Sequence, residues 1–187
     1  MQDILYIHGF LSSPQSAKAQ QVQAYVAQHP HLRLQLPALP VDAVAALYIL
    51  EKCIAQSPTP PGLIGSSLGG FYANILAARH NLRAVLINPA VHPHERLAAY
   101  AGEQKNYYTG EVSVVEPEHF HALKMLEVAP LYPEKLWILL ETGDETLDYR
   151  QAEQFYARCA VDVTIGGSHR YESFAARLPA IVDFLSQ

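Results

Sequence analysis

Six short strand-like runs, four of them apolar throughout, recur along this 187-residue chain at residues 4–7, 33–36, 62–64, 84–87, 136–140 and 161–165, each closed within a few residues by glycine or proline. Between most of them the apolar residues fall at helical spacing instead, as with Val22, Tyr25, Val26 and His29, or Ala43, Leu47, Leu50 and Ile54. Strand and helix therefore alternate, which demands a mostly parallel sheet with helices on both faces. A length of 187 residues, half of them hydrophobic, suits one domain with a substantial core. Ser13 with Pro14 behind it is the expected start of a first helix reaching residue 28, Asp42 caps the second, and a later helix is expected over residues 149–159. Pro179 either kinks the last helix or marks its start.

The third run passes directly into Gly65-Ser66-Ser67-Leu68-Gly69-Gly70, followed by a helical stretch through Phe71, Ile75 and Ala78. Strand, sharp turn and helix around G-x-S-x-G form a nucleophile elbow. The glycines keep Cβ atoms away where strand and helix nearly touch, and the turn holds Ser67 Oγ out for attack on a carbonyl. The Leu68 N–H, at the start of a helix, points where an oxyanion would form. Downstream, Thr142-Gly143-Asp144 closes the fifth run and Gly166-Gly167-Ser168-His169 closes the sixth. Strand ends of a parallel sheet share one edge, so Ser67, Asp144 and His169 can meet there as nucleophile, acid and base. Ser, then acid, then His is the order of the α/β-hydrolases. Asp148, four residues beyond Asp144, is the alternative acid if the loop is longer. The second oxyanion donor is expected from the His8-Gly9-Phe10 loop, at Phe10, with His8 bracing that loop.

From about residue 92 to 130 the alternation weakens, and the stretches around Tyr107-Tyr108-Thr109-Gly110 and Glu116-Pro117-Glu118 read as loop or short irregular elements. Such an excursion over the strand ends is the place for a small cap, with Tyr107, Tyr108 and Phe120 as candidates for an acyl pocket. The pairs His92/His94 and His119/His121 have the spacing of metal ligands, but a catalytic site needs three or more. The only nearby carboxylates, Glu95, Glu116 and Glu118, lie in segments of no fixed geometry, and solvated cap residues are the simpler reading. Cys53 and Cys159 fall in predicted helices, far apart, as buried or half-buried thiols. A net charge of −5 with scattered basic residues argues against nucleic acid and anionic membranes as partners. The N-terminus carries no basic region before its four-residue apolar run, so neither signal peptide nor membrane span is expected, and the location expected is the cytoplasm.

Assembled, these residues resemble the small esterase family of which bacterial YqiA is the namesake. The resemblance rests on Tyr6-Ile7-His8-Gly9-Phe10 with Ser12-Ser13-Pro14, the elbow, Asn88-Pro89-Ala90-Val91, and Tyr108-Thr109-Gly110. It continues through Thr142-Gly143-Asp144-Glu145, residues 147–152, and Gly166-Gly167-Ser168-His169. It implies a trimmed α/β-hydrolase fold of about six strands, lacking the first two of the full sheet. It also implies a serine esterase that acts on simple acyl esters or acyl thioesters without a metal or organic cofactor. Arg170-Tyr171 departs from the family's usual small residue and aromatic after the histidine, a difference that bears on substrate shape. Lys105, Lys124 and Arg170 are the basic residues to consider for a coenzyme A leaving group. The contrasting expectation is a binding protein or scaffold that keeps the fold without turnover.

Overall fold

The computed structural model describes all 187 residues. Six strands form one parallel sheet: β1 (Gln2–Ile7), β2 (Leu32–Gln35), β3 (Gly62–Ser66), β4 (Ala84–Ile87), β7 (Leu136–Glu141) and β8 (Ala160–Thr164), in the order β2-β1-β3-β4-β7-β8. Every pairing within it is parallel. The intervening β5 (Gly102–Lys105) and β6 (Val112–Val115) make a separate antiparallel hairpin.

Two hydrophobic cores lie on the two faces, because successive side chains of a strand point to opposite sides. Ile4, Tyr6, Ile64, Val85, Ile87 and Leu139 face α1 (Ala17–Ala27) and α7 (Phe174–Leu185), with Ala19, Val22, Phe174, Leu178 and Ile181 closing that layer. Leu5, Ile7, Leu63, Leu86, Ile138 and Leu140 face α2 (Ala43–Gln56), α3 (Leu68–His80) and α6 (Tyr149–Phe155). The residues of β4 are buried throughout, as a strand covered on both faces must be. Truncating a core residue such as Ile64 to alanine would cost roughly 2–5 kcal/mol.

Three local features differ from the sequence reading. Helix α1 begins at Ala17 with Ser16 at its N-cap position, not at Ser13. Ser13 instead opens a tight turn with Pro14 in its second position; its carbonyl accepts from Ser16 N–H at 3.0 Å and its hydroxyl accepts from Gln15 N–H at 3.1 Å. Helix α6 stops at Phe155, since the chain must reverse within four residues to enter β8, and Cys159 lies in that turn. The stretch around Tyr107 is a loop as expected, the turn of the β5–β6 hairpin, whereas Pro117 opens a ten-residue helix, α5 (Pro117–Leu126), instead of lying in a loop. Its start is fixed by Glu116 N–H donating to His119 Nδ1 at 2.9 Å. A five-residue helix, α4 (Pro93–Leu97), precedes the hairpin. Pro179 sits inside α7, with Phe174 rather than Pro179 at its start. No helix is long and apolar enough to cross a membrane.

Candidate active site

The parallel arrangement carries the ends of β1, β3, β4, β7 and β8 to one edge of the sheet, and backbone strain collects there. Six residues other than glycine have positive φ, and five of them, Leu11, Ser67, Asn88, His92 and Tyr171, lie in loops that follow strand ends on this edge. Ser67, between β3 and α3, has φ 55° and ψ −121°. A side chain is held in such a conformation only where the surroundings over-determine it. Here Ser67 N–H donates to Ile87 O, and Ser67 O accepts from the N–H groups of Gly70 and Ala90. The elbow also needs close backbone approach: a Cβ on Gly65 would collide with the Gly69 carbonyl, and one on Gly69 with the Ile7 carbonyl.

Ser67 Oγ lies 3.1 Å from His169 Nε2, and His169 Nδ1 lies 2.8 Å from Asp144 Oδ2. The Asp144 side chain is only 2% exposed, against 22% for His169. Its other oxygen accepts from Thr146 N–H at 2.8 Å and Leu147 N–H at 2.7 Å, so the carboxylate has one free face and the imidazole fills it. An ionised carboxylate only accepts, so Nδ1 carries the imidazole proton and Nε2 is left to accept from the serine hydroxyl. That arrangement can draw a proton off Ser67 and hold it. Asp148 is elsewhere: it caps α6 by accepting from Arg150 N–H at 3.1 Å.

One residue the sequence reading did not single out organises this edge. Glu141, the last residue of β7, is 1% exposed. Its carboxylate accepts from the N–H groups of Ser168, Glu172 and Ser173 at 2.9, 3.0 and 3.2 Å and from Ser173 Oγ–H at 2.9 Å. Burial raises its pKa, yet these four donors outweigh burial and hold the carboxyl below its ordinary value. Gly167, with φ 72°, lies so close that any Cβ would strike the Glu141 carboxylate. Asn88, at the end of β4 between β3 and β7, completes the anchor. Its Oδ1 accepts from Glu141 N–H at 3.0 Å and its Nδ2 donates to Ser168 O at 3.1 Å. The histidine loop is thus pinned on both sides of His169. Glu145 adds a contact from the acid loop, accepting from His169 N–H at 3.0 Å.

Leu68 is the first residue of α3, where N–H groups have no partner within the helix. Phe10 lines the clefts beside Ser67, its ring edge-on to Tyr100 at 5.6 Å. His8 is buried; its Nε2 accepts from Leu39 N–H at 3.1 Å, which puts the proton on Nδ1 to donate to Gly9 O at 2.9 Å. Burial lowers its pKa, in keeping with a neutral ring that braces the loop. The hairpin turn is tied to the same loop, Asn106 Nδ2 donating to Ser12 O at 2.9 Å. That tie brings Tyr107 and Tyr108 to the clefts, whereas Phe120, on α5, lines neither. Of the three basic residues considered for a coenzyme A group, Arg170 lines a cleft and Lys105 and Lys124 do not. One member of each histidine pair is engaged: His92 Nδ1 lies 2.8 Å from Glu127 Oε1, and His119 helps cap α5. A separate cleft along β2 is lined by Asp3, which is tied to Arg33 and Thr59, and offers no nucleophile.

The parallel six-stranded sheet with helices on both faces, its elbow after β3 and its strand-end histidine define an α/β-hydrolase fold. Solved structures of that fold superpose on nearly the whole chain. Est1E from Butyrivibrio proteoclasticus matches with a TM-score of 0.74 at 16% identity, covering 100% of this chain and 89% of its own. Mouse alpha/beta hydrolase domain-containing protein 10 matches at 0.72 and 17% identity, covering 98% and 89%. The monoacylglycerol lipase of Paleococcus ferrophilus matches at 0.74 and 13% identity, covering 98% and 93%. The chain belongs to the uncharacterised protein family UPF0227, the YqiA-like family, which it matches over residues 3–186. Among its relatives, a UPF0227 protein of Shewanella baltica strain OS185 is 26% identical over 197 residues, covering 97% of this chain and 98% of the relative.

Proposed function

We propose that this protein is a serine esterase that hydrolyses acyl esters, with acyl thioesters open to the same chemistry. The observation that carries this reading is the unbroken relay from Ser67 Oγ through His169 to Asp144, at 3.1 and 2.8 Å, opening onto clefts large enough for a small ester. That Est1E by its name and a monoacylglycerol lipase share the fold agrees with it.

Ser67 Oγ attacks the carbonyl carbon while its proton passes to His169 Nε2. The carbonyl oxygen takes the negative charge and faces the N–H groups of Leu68 and Phe10, each such donor contributing about 3–4 kcal/mol in the transition state. Collapse breaks the acyl–oxygen bond, and Nε2 returns the proton to the leaving oxygen. Water then gives a proton to Nε2 and attacks the acyl-Ser67 carbon; collapse re-forms the serine hydroxyl and frees the acid. One water is consumed, and one acid and one alcohol appear. Asp144 stays ionised throughout and holds the ring in its productive tautomer. No step calls for a metal or an organic cofactor.

A fluorophosphonate probe tests the reading directly. Wild-type protein should be labelled at Ser67, and Ser67→Ala should not be labelled. A folded wild-type chain that resists the probe would instead favour a non-catalytic binding protein.

A further inference from the structure

Ser67 and His169 line two clefts of different character. One, of about 630 Å³, is walled largely by apolar groups, among them Val91, Pro93, Leu97, Tyr100 and Leu147. The other, of about 990 Å³, is walled by Ser12, Ser16, Lys18, Gln21, Arg170 and Tyr171. An ester attacked at its carbonyl has an acyl chain on one side and a leaving group on the other. Apolar walls suit the acyl chain. The leaving group must reach His169 Nε2 for its proton, and the polar cleft begins at that ring and the Arg170 beside it.

We propose that the polar cleft is the leaving-group subsite and that it selects a leaving group bearing an anion, a carboxylate or phosphate, held by Lys18 and Arg170. The proposal rests on the esterase reading and adds the chemical class of the substrate's alcohol portion. Lys18, on α1, is half-buried and its Nζ donates to Arg170 O at 2.8 Å, yet no carboxylate lies within 4.0 Å of Lys18 or of the Arg170 guanidinium. The acids that act on Lys18, Asp144 and Glu141, are already taken up by His169 and by the histidine loop. Two further carboxylates border the cleft, Glu145 and Glu172; both are exposed, and Glu145 is engaged with His169 N–H. Burial pushes the Lys18 ammonium down to about 8 against the pull of Asp144 and Glu141, with Arg170 adding to the depression. A half-buried cation without a carboxylate partner is stabilised by an arriving anion. Ser16 and Tyr171, both buried residues, form part of the wall of the same cleft.

Three butanoate esters of matched size test this: 3-(butanoyloxy)benzoate, 3-(butanoyloxy)phenyl phosphate and the neutral 3-(butanoyloxy)benzamide. Each kcat/KM is normalised to that ester's alkaline hydrolysis, and the readout is the ratio of anionic to neutral ester within one variant. A general disturbance of the histidine loop lowers all three alike and leaves the ratio unmoved. At least one anionic ester should exceed the neutral one by roughly tenfold, the scale of a charge-assisted hydrogen bond. That ratio should fall severalfold in Lys18→Met and again in Arg170→Met, and the better anion identifies carboxylate or phosphate. A wild-type ratio of one or less, or a ratio that neither substitution lowers, overturns the proposal while leaving the esterase reading intact. Failure of the wild type to turn over any of the three overturns both.

Discussion

His169 Nδ1 faces Asp144 Oδ2 at 2.8 Å, while Asp148 spends its carboxylate on the first turn of α6. The two acids therefore separate cleanly by mutation. Asp144→Asn should lower kcat by about 10⁴, because the amide favours the wrong imidazole tautomer. Asp148→Asn, itself a good capping residue, should leave kcat within a few-fold and stability nearly unchanged. Steady-state kinetics on an activated ester checks both, and the reverse order of damage would transfer the acid role to Asp148.

Glu141 should be a positioning residue for His169. Replacing it by glutamine keeps the volume but removes the charge that four donors from Ser168, Glu172 and Ser173 share. Stability should fall by about 1.5–3 kcal/mol in urea denaturation, the scale of hydrogen bonds to a charged group. At a temperature where the variant stays folded, kcat should drop at least tenfold with little change in KM, since the loop that aims His169 has lost its anchor. Wild-type kcat in folded Glu141→Gln would confine this residue to stability.

The same carboxylate sets an acid limit. Its folded pKa lies below the ordinary value near 4.5, so its contribution is fully present above that value and is lost as pH falls through the folded one. Wild-type stability should therefore decline more steeply than that of Glu141→Gln below about pH 4.5, by up to about 1.4 kcal/mol per pH unit. Thermal melts of both proteins from pH 6 to pH 3 read the difference, and parallel curves would contradict it.

The sheet was legible because its signals are local. Residues 84–87 form a strand buried on both faces, and such a run is apolar throughout. The elbow announced itself for the same reason, strand, glycines and helix lying within a dozen residues. The hairpin did not, because β5 is Gly-Glu-Gln-Lys, almost wholly exposed, and carries no apolar alternation. Glu141 was invisible for a different reason. Its four donors come from 27 to 32 residues further along, and a charge at the end of an apolar run looks like an ordinary strand terminus. The approach of Lys18 to Arg170 spans 152 residues and has no local signature either. Ser13 misled because a serine before proline suits a tight turn as well as a helix start.

Acyl-chain preference should follow the apolar cleft. At about 630 Å³, bordered by Leu97 and Tyr100 and open to solvent beside the 76% exposed Tyr107, it is no deep tunnel. Each methylene buried there contributes about 0.8 kcal/mol, roughly fourfold in kcat/KM if expressed in the transition state. Across p-nitrophenyl esters from acetate upward, kcat/KM should rise over the first few carbons and then level or decline. A steady fourfold rise through long chains would reveal an apolar channel in place of the open cleft.

The most direct measurement of the account as a whole is the turnover of purified Ser67→Ala on p-nitrophenyl butanoate, alongside a circular dichroism spectrum of the same sample. With the nucleophile gone and the fold intact, kcat should fall by roughly 10⁶, to the limit of detection. Near wild-type turnover by well-folded Ser67→Ala would contradict the account.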